Sequence, residues 1–200
     1  MDAHMRVLVR ELIETVILAL LIFLLLHLSI GNRRVEGPSM EPTLANGEYV
    51  IVNKLVYLNL HPGELARLIP FLDIGDDEQI FAFHPPRRGD IIVFRYPTNE
   101  ARDFVKRVVA VPGETVELKQ GRLFVNGVEV DEPYITRRDV GSMTESTVPR
   151  NSYFVLGDNR RSSEDSRFFG AVPFENIIGM AWISIWPLNR LQALRALPLP

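Results

Sequence analysis

The chain has 200 residues, with 22 lysines and arginines against 25 aspartates and glutamates, a net charge of −3 spread along its length. That length suits one domain of about 100–150 residues plus an appendage, and the mixed charge offers no basic field for a nucleic-acid backbone, so nucleic acid is not an expected partner. Cysteine is absent, which excludes disulfides, thiolate metal sites and cysteine nucleophiles together.

Leu12 to Ile30 is apolar except for Glu14, Thr15, His27 and Ser29. A bilayer is crossed by a helix of about 20 such residues, so the pattern predicts one N-terminal transmembrane helix within a stub and anchor, residues 1–34. The run exits into Gly31-Asn32-Arg33-Arg34 without a small-residue cleavage site, which reads as an uncleaved anchor rather than a removed leader. Arginines flank both ends, so charge alone gives no orientation. Next comes "VEGPSMEPTL", Val35 to Leu44, where Ser39 sits between glycine and two prolines. Proline fixes its own φ and restricts the residue before it, so this serine is held in one orientation, as a nucleophile needs. A lone turn serine, however, commonly bonds its own backbone.

From Val35 onward short β-branched runs alternate with turn residues, predicting strands at Tyr49 to Val52, Asp90 to Tyr96, Phe104 to Val111, Thr115 to Leu118, Leu123 to Val125, Tyr153 to Leu156 and Ile177 to Ile185. Gln120-Gly121 and Asn126-Gly127 mark tight hairpins in a local extension over residues 112–150. His61 to Pro86 reads as a long loop pinned by buried anchors, with contact to lipid as the alternative. Arg137 to Arg150 reads as a mobile polar loop, and residues 190–200 as a tail or weak helix. The fold class is therefore mainly β, with a catalytic-size β domain over residues 35–189.

A serine needs a base. His61 and His84 lie beside prolines with no paired acid, which leaves a Ser-His-Asp triad unsupported. Lysine serves when an apolar pocket lowers its pKa. Of Lys54, Lys106 and Lys119, only Lys106 lies inside an apolar strand, sharing a face with Phe104 and Val108 while Arg107 points the other way. Taken alone it also fits a surface lysine in an alternating strand. In "GDNRRSSEDSRFFG", Gly157 to Gly170, three arginines interleave with Asp158, Glu164 and Asp165, favouring ion pairs over a metal site.

The anchor, "GPSMEPTL", "RGDIIVFRYP", "DFVKRVVAVPGE" and "GDNRRSSEDSRFFGAVP", in that order from the anchor to about Pro173, resemble the bacterial type I signal peptidases, the Ser-Lys leader peptidases. The resemblance implies a β-barrel or coiled-sheet catalytic domain, Ser39 as nucleophile, Lys106 as general base, and Ser163 orienting the amine. Asp158, Asp165 and Arg167 would brace the site, and the Ser39 N–H would help to form the oxyanion hole. It implies an acyl-enzyme mechanism without metal or other cofactor. Met40, Leu44 and Phe104 would line a pocket for the first residue before the cut, and Val35, Val50, Val93 and Val105 one for the third, both taking small side chains. Partners would be signal-peptide-bearing precursors, the lipid bilayer and nearby export machinery. The amino terminus would lie in the cytoplasm and the catalytic domain on the outer face of the cytoplasmic membrane. Two departures stand out: Gly37 replaces a serine that assists the oxyanion hole in some members, and Arg161 replaces an acid common in others. Two other readings are an inactive tethered domain that binds exported chains and a self-cleaving Ser-Lys regulator; the Ser39, Lys106 and Ser163 set argues against the first and the anchor against the second.

Overall fold

A computed structural model of the chain describes residues 3–60, 80–81, 83–136 and 138–194. Helix α1 (Ala3–Ser29) contains neither glycine nor proline and is built from leucine, isoleucine, alanine and other residues compatible with a helix. Its apolar side chains face outward, as with Leu12 at 65% and Phe23 at 66% exposure. Among the described residues no helix is both long and apolar enough to cross a membrane. The predicted span also ends early, because Ile30 already begins a strand.

That strand, β1 (Ile30–Arg34), follows the helix directly and pairs antiparallel with β2 (Tyr49–Asn53). Residues 30–34 thus belong to the sheet, although the sequence pattern groups them with the anchor. β3 (Asn59–Leu60) and β4 (Ile80–Phe81) form a two-stranded pair; the remainder of the expected loop from His61 to Pro86 lies mostly outside the described residues. β5 (Ile91–Tyr96) and β6 (Asn99–Ala110) make a long hairpin in which Ile92, Val93 and Phe94 oppose Lys106, Val105 and Phe104.

A four-stranded extension follows, with β7 (Thr115–Lys119), β8 (Arg122–Val125), β9 (Val128–Glu129) and β10 (Met143–Thr147) in the order β10-β7-β8-β9. Its two tight turns have positive φ at both central residues, 50° and 76° at Gln120-Gly121 and 52° and 77° at Asn126-Gly127, the geometry that matches strand twist in two-residue hairpins. β10 corrects the expectation of a mobile loop over Arg137 to Arg150. Its alternation is polar, so hydrophobic pattern could not reveal a strand that gains its order by pairing with β7.

β11 (Ser152–Leu156), α2 (Ser166–Phe169), β12 (Val172–Pro173), β13 (Ile177–Trp186) and β14 (Gln192–Ala193) complete the described fold. Gln192–Ala193 pair with β13 as a short strand within the stretch read as a tail or weak helix; residues 195–200 lie outside the described set. The main sheet runs β1-β2-β13-β5-β6-β11-β12, with β14 beside β13, and is antiparallel throughout. The expected barrel does not close: among the described residues β1 pairs only with β2, and β6 meets β11 only at Arg107 and beyond. Among the described residues the outer edges of β1 and of the first half of β6 are therefore bare. One apolar cluster, including Val35, Met40, Leu44, Val50 and Val93, lies beneath this opening, and a second fills the extension around Val116, Leu123 and Leu156.

Candidate active site

Ser39 lies on the loop between β1 and β2, and that loop is fastened at both ends and in the middle. The Val35 N–H donates to Glu48 O at 2.7 Å, the Gly47 N–H to Val35 O at 2.8 Å, and the Leu44 N–H to Met40 O at 2.9 Å. Glu48 is buried, accepting from the Ala45 N–H at 3.0 Å and the Ser184 hydroxyl at 2.8 Å while pairing with Arg190 at 2.6 Å. Gly37 has φ of 84°, a conformation that strains a side chain, which gives a local reason for glycine at this position.

Lys106 reaches this loop from β6. Its Nζ lies 2.9 Å from Ser39 Oγ and donates to Val105 O at 2.9 Å, and it sits 5.1 Å from the centroid of the Phe104 ring. The side chain is almost wholly buried, 4% exposed. Burial pushes the amine down from its usual 10.5 to about 8, against the opposing pull of Asp165, Glu164 and Asp158. An amine so placed is neutral in a useful fraction of molecules near neutral pH and can accept the proton of the hydroxyl it touches.

Arg107, the next residue, is also buried rather than facing solvent. It donates from Nε to Asp158 Oδ1 at 2.9 Å, from Nη2 to Asp158 Oδ2 at 2.7 Å and from Nη1 to Gly89 O at 2.9 Å, and its guanidinium lies 4.1 Å from the centroid of the Tyr134 ring. Thr43 donates to Asp158 Oδ2 at 2.5 Å, so one carboxylate ties the serine loop to the lysine strand. Asp165 caps α2 and accepts from the Gly157 N–H at 3.0 Å and from Arg167 Nε at 2.7 Å. Arg167 also donates to Arg160 O at 2.8 Å. The Asn159 N–H donates to Ser39 O at 3.0 Å, which joins the turn after β11 to the serine itself.

Ser163 is buried against this turn, and its Oγ makes no hydrogen bond to Lys106 or to any other described residue. Gly157 explains how close these backbones come: a Cβ there would lie 2.2 Å from Ser163 Oγ and 2.6 Å from Ser39 O. No group of three or more histidines and carboxylates with metal-holding geometry occurs among the described residues.

The chain matches the family described as signal peptidase, peptidase S26, over residues 9–186. It belongs to the signal peptidase family. It is 40% identical over 174 residues to signal peptidase I of Bacillus caldolyticus, covering 80% of this chain and 81% of that one. It is 44% identical over 141 residues to signal peptidase I of Leptolyngbya laminosa, covering 64% and 68%, and 33% identical to probable signal peptidase I-1 of Synechocystis, covering 91% and 85%. Membership makes the chain a serine peptidase of the signal peptidase I type, acting on precursors that carry signal peptides.

A cleft of about 480 Å³ opens beside the Ser39–Lys106 pair, between the bare edge of β1 and the first half of β6. Of the residues expected to line substrate pockets in this signal peptidase, Val35, Val50, Val93, Phe104 and Val105 line the cleft. Met40 and Leu44 do not; both are fully buried in the cluster below it. Sequence reasoning missed Arg107, Thr43, Glu132 and Tyr134. Glu132, buried in the extension, pairs with Arg160 and accepts from the Tyr134 hydroxyl at 2.7 Å, and Arg160 Nε donates to Gly157 O at 3.1 Å. The only signal in the chain is charge in strands and turns that otherwise read as apolar or polar throughout, and such a charge points to a buried partner without naming it.

Proposed function

We propose that the chain is a membrane-anchored endopeptidase that releases signal peptides through a Ser39–Lys106 dyad. The observation that carries this reading is the 2.9 Å contact between Ser39 Oγ and a buried lysine amine shifted to about 8. Neutral Lys106 takes the Ser39 proton as Oγ attacks the scissile carbonyl carbon. The lysine then gives that proton to the departing amine of the mature protein, leaving the signal peptide esterified to Ser39. Water, deprotonated by the same amine, attacks the ester and restores the serine. The Ser39 N–H donates to the developing oxyanion, and the Val105 carbonyl, which accepts from Lys106 Nζ at 2.9 Å, orients the amine. Asp158, Asp165 and Arg167 hold the two backbones in register.

The two bare strand edges leave room for an extended substrate, whose small side chains at the first and third positions before the cut fit the walls formed by Phe104 on one side and Val35, Val50, Val93 and Val105 on the other. A larger side chain must displace those walls, at a typical cost of about 1–3 kcal/mol. Helix α1 is the proposed anchor. Its apolar side chains from Leu12 to Leu25 stand exposed, a surface that lipid would cover. The catalytic domain then sits at the outer face of the cytoplasmic membrane, where the cut sites of exported chains emerge.

Purified protein in detergent, given an exported precursor, should yield one new amino terminus preceded by a small residue, with another small residue two positions earlier. Ser39→Ala and Lys106→Ala should each abolish that product, and normal cleavage by either variant would remove the dyad from the reaction.

A further inference from the structure

Two residues that face each other across the cleft have no part in the Ser39–Lys106 chemistry. Arg33 lies on β1 and Asp103 on the first half of β6, and Arg33 Nε donates to Asp103 Oδ2 at 3.1 Å. Both line the cleft that holds Ser39 and Lys106. Their link crosses from one bare strand edge to the other, since β1 pairs only with β2 and β6 meets β11 only from Arg107 onward among the described residues. The two side chains are 44% and 34% exposed, so the pair is screened, adds little stability and parts readily for a ligand.

Strand periodicity says which substrate residue meets them. Lys106 and Phe104 share one face of β6, with the amine over the ring. Val105 and Asp103 share the other, and Val105 packs against the cluster of Val35, Val50 and Val93, the wall proposed for the third residue before the cut. Asp103 is the next position on that face. With the cut at Lys106 and the substrate laid back along β6 toward Asn99, an extended substrate advances two residues over the same interval, which brings its fifth residue before the cut to Arg33 and Asp103.

We propose that Arg33 and Asp103 form a subsite for that fifth residue which accepts either charge: a substrate lysine takes Asp103 from Arg33, and a substrate glutamate takes Arg33 from Asp103. The inference rests on the Ser39–Lys106 reading and on the extended substrate. Removing one partner then turns a charge-tolerant subsite into a selective one.

The test uses the full chain and three precursor peptides that differ only in Ala, Lys or Glu at the fifth position before the cut. For the unaltered protein the Lys/Glu ratio of kcat/KM is expected within about threefold of one. Arg33→Gln should raise that ratio about fivefold and Asp103→Asn should lower it about fivefold, with the double variant returning near one. Each ratio is measured on a single protein sample, so a partial loss of folded protein cancels. Should either variant fail to fold, Arg33→Asp with Asp103→Arg serves in its place, and its ratio should again lie near one. Ratios that stay within about twofold of the unaltered protein's in both single variants, or rejection of either charged peptide by the unaltered protein beyond about tenfold relative to the alanine peptide, overturn the subsite. Cleavage of the alanine peptide by Ser39→Ala, run alongside, reports on the dyad alone, so failure of the dyad and failure of the subsite give different results.

Discussion

Ser39 is an ordinary alcohol, and in the proposed dyad its reactivity is set by how much of Lys106 lacks a proton. With the amine lowered to about 8 by burial, the rate should climb through an inflection near that pH and level off above it, two units or more below where a hydrated lysine would place the rise. A kcat/KM profile that rises only above pH 10 would contradict a dry amine. The same shift bears on stability. The folded state holds fewer protons than the unfolded state between about 8 and 10.5, so this residue's contribution improves as pH rises through that window. Below it, the buried cation costs about 3 kcal/mol. Lys106→Met should therefore melt higher than the unaltered protein at pH 7, with no activity, and the difference in Tm should shrink toward pH 10.5. Gly157 tests position rather than charge. A methyl group there meets the Ser163 side chain and the Ser39 carbonyl, and a shift of about 1 Å at the nucleophile is enough to lower kcat on the order of a hundredfold, so Gly157→Ala should show that loss in single-turnover cleavage while remaining folded by circular dichroism.

At the level of elements, the site exists because strand β6, the loop between β1 and β2, and the turn after β11 are tied by buried charges. Asp158→Ala would leave the Arg107 guanidinium buried without its carboxylate, at a cost of about 3–5 kcal/mol. Replacing both, as Arg107→Met with Asp158→Leu, should recover much of that in denaturant unfolding, because a buried pair exchanged for apolar volume is often nearly neutral. If the double variant were no more stable than the single one, the loss would lie in the Thr43 and Gly89 bonds instead. These ties also mark the boundary of what is legible in the sequence. The apolar strands and both asparagine- or glutamine-glycine hairpins follow from period and turn chemistry, which act over a few residues. β10 and the pairing of Glu132 with Arg160 are not legible, since each depends on a partner about 25–30 residues away and the residues around Glu145, Glu132 and Arg160 show no apolar period of their own. Alternation puts Arg107 on the face opposite Lys106 without naming what it meets there, and β6 is covered on both faces at that point.

For the molecule as a whole, the helix and the open sheet divide the work. If α1 holds the chain in a bilayer, then Leu20→Lys with Phe23→Lys should move the full-length protein from the alkali-resistant membrane fraction to the supernatant, while cleavage of a precursor in detergent continues; retention in the membrane fraction would point to another attachment. The expected barrel is an open sheet because β1 and the first half of β6 lack partners among the described residues, and that gap is the cleft where the Ser39–Lys106 pair lies. A mainly β chain behind an apolar helix, and the order of the blocks that carry its serine and its lysine, can be read from residue type, short-range period and turn chemistry, because these are local properties. That Met40 and Leu44 lie under the cleft rather than in it, that Ser163 makes no bond to the amine among the described residues, and that Arg33 meets Asp103 across the opening emerge only from the folded arrangement. Those outcomes depend on how far the sheet curls and which edges stay unpaired, and both are set by contacts between residues far apart in the chain.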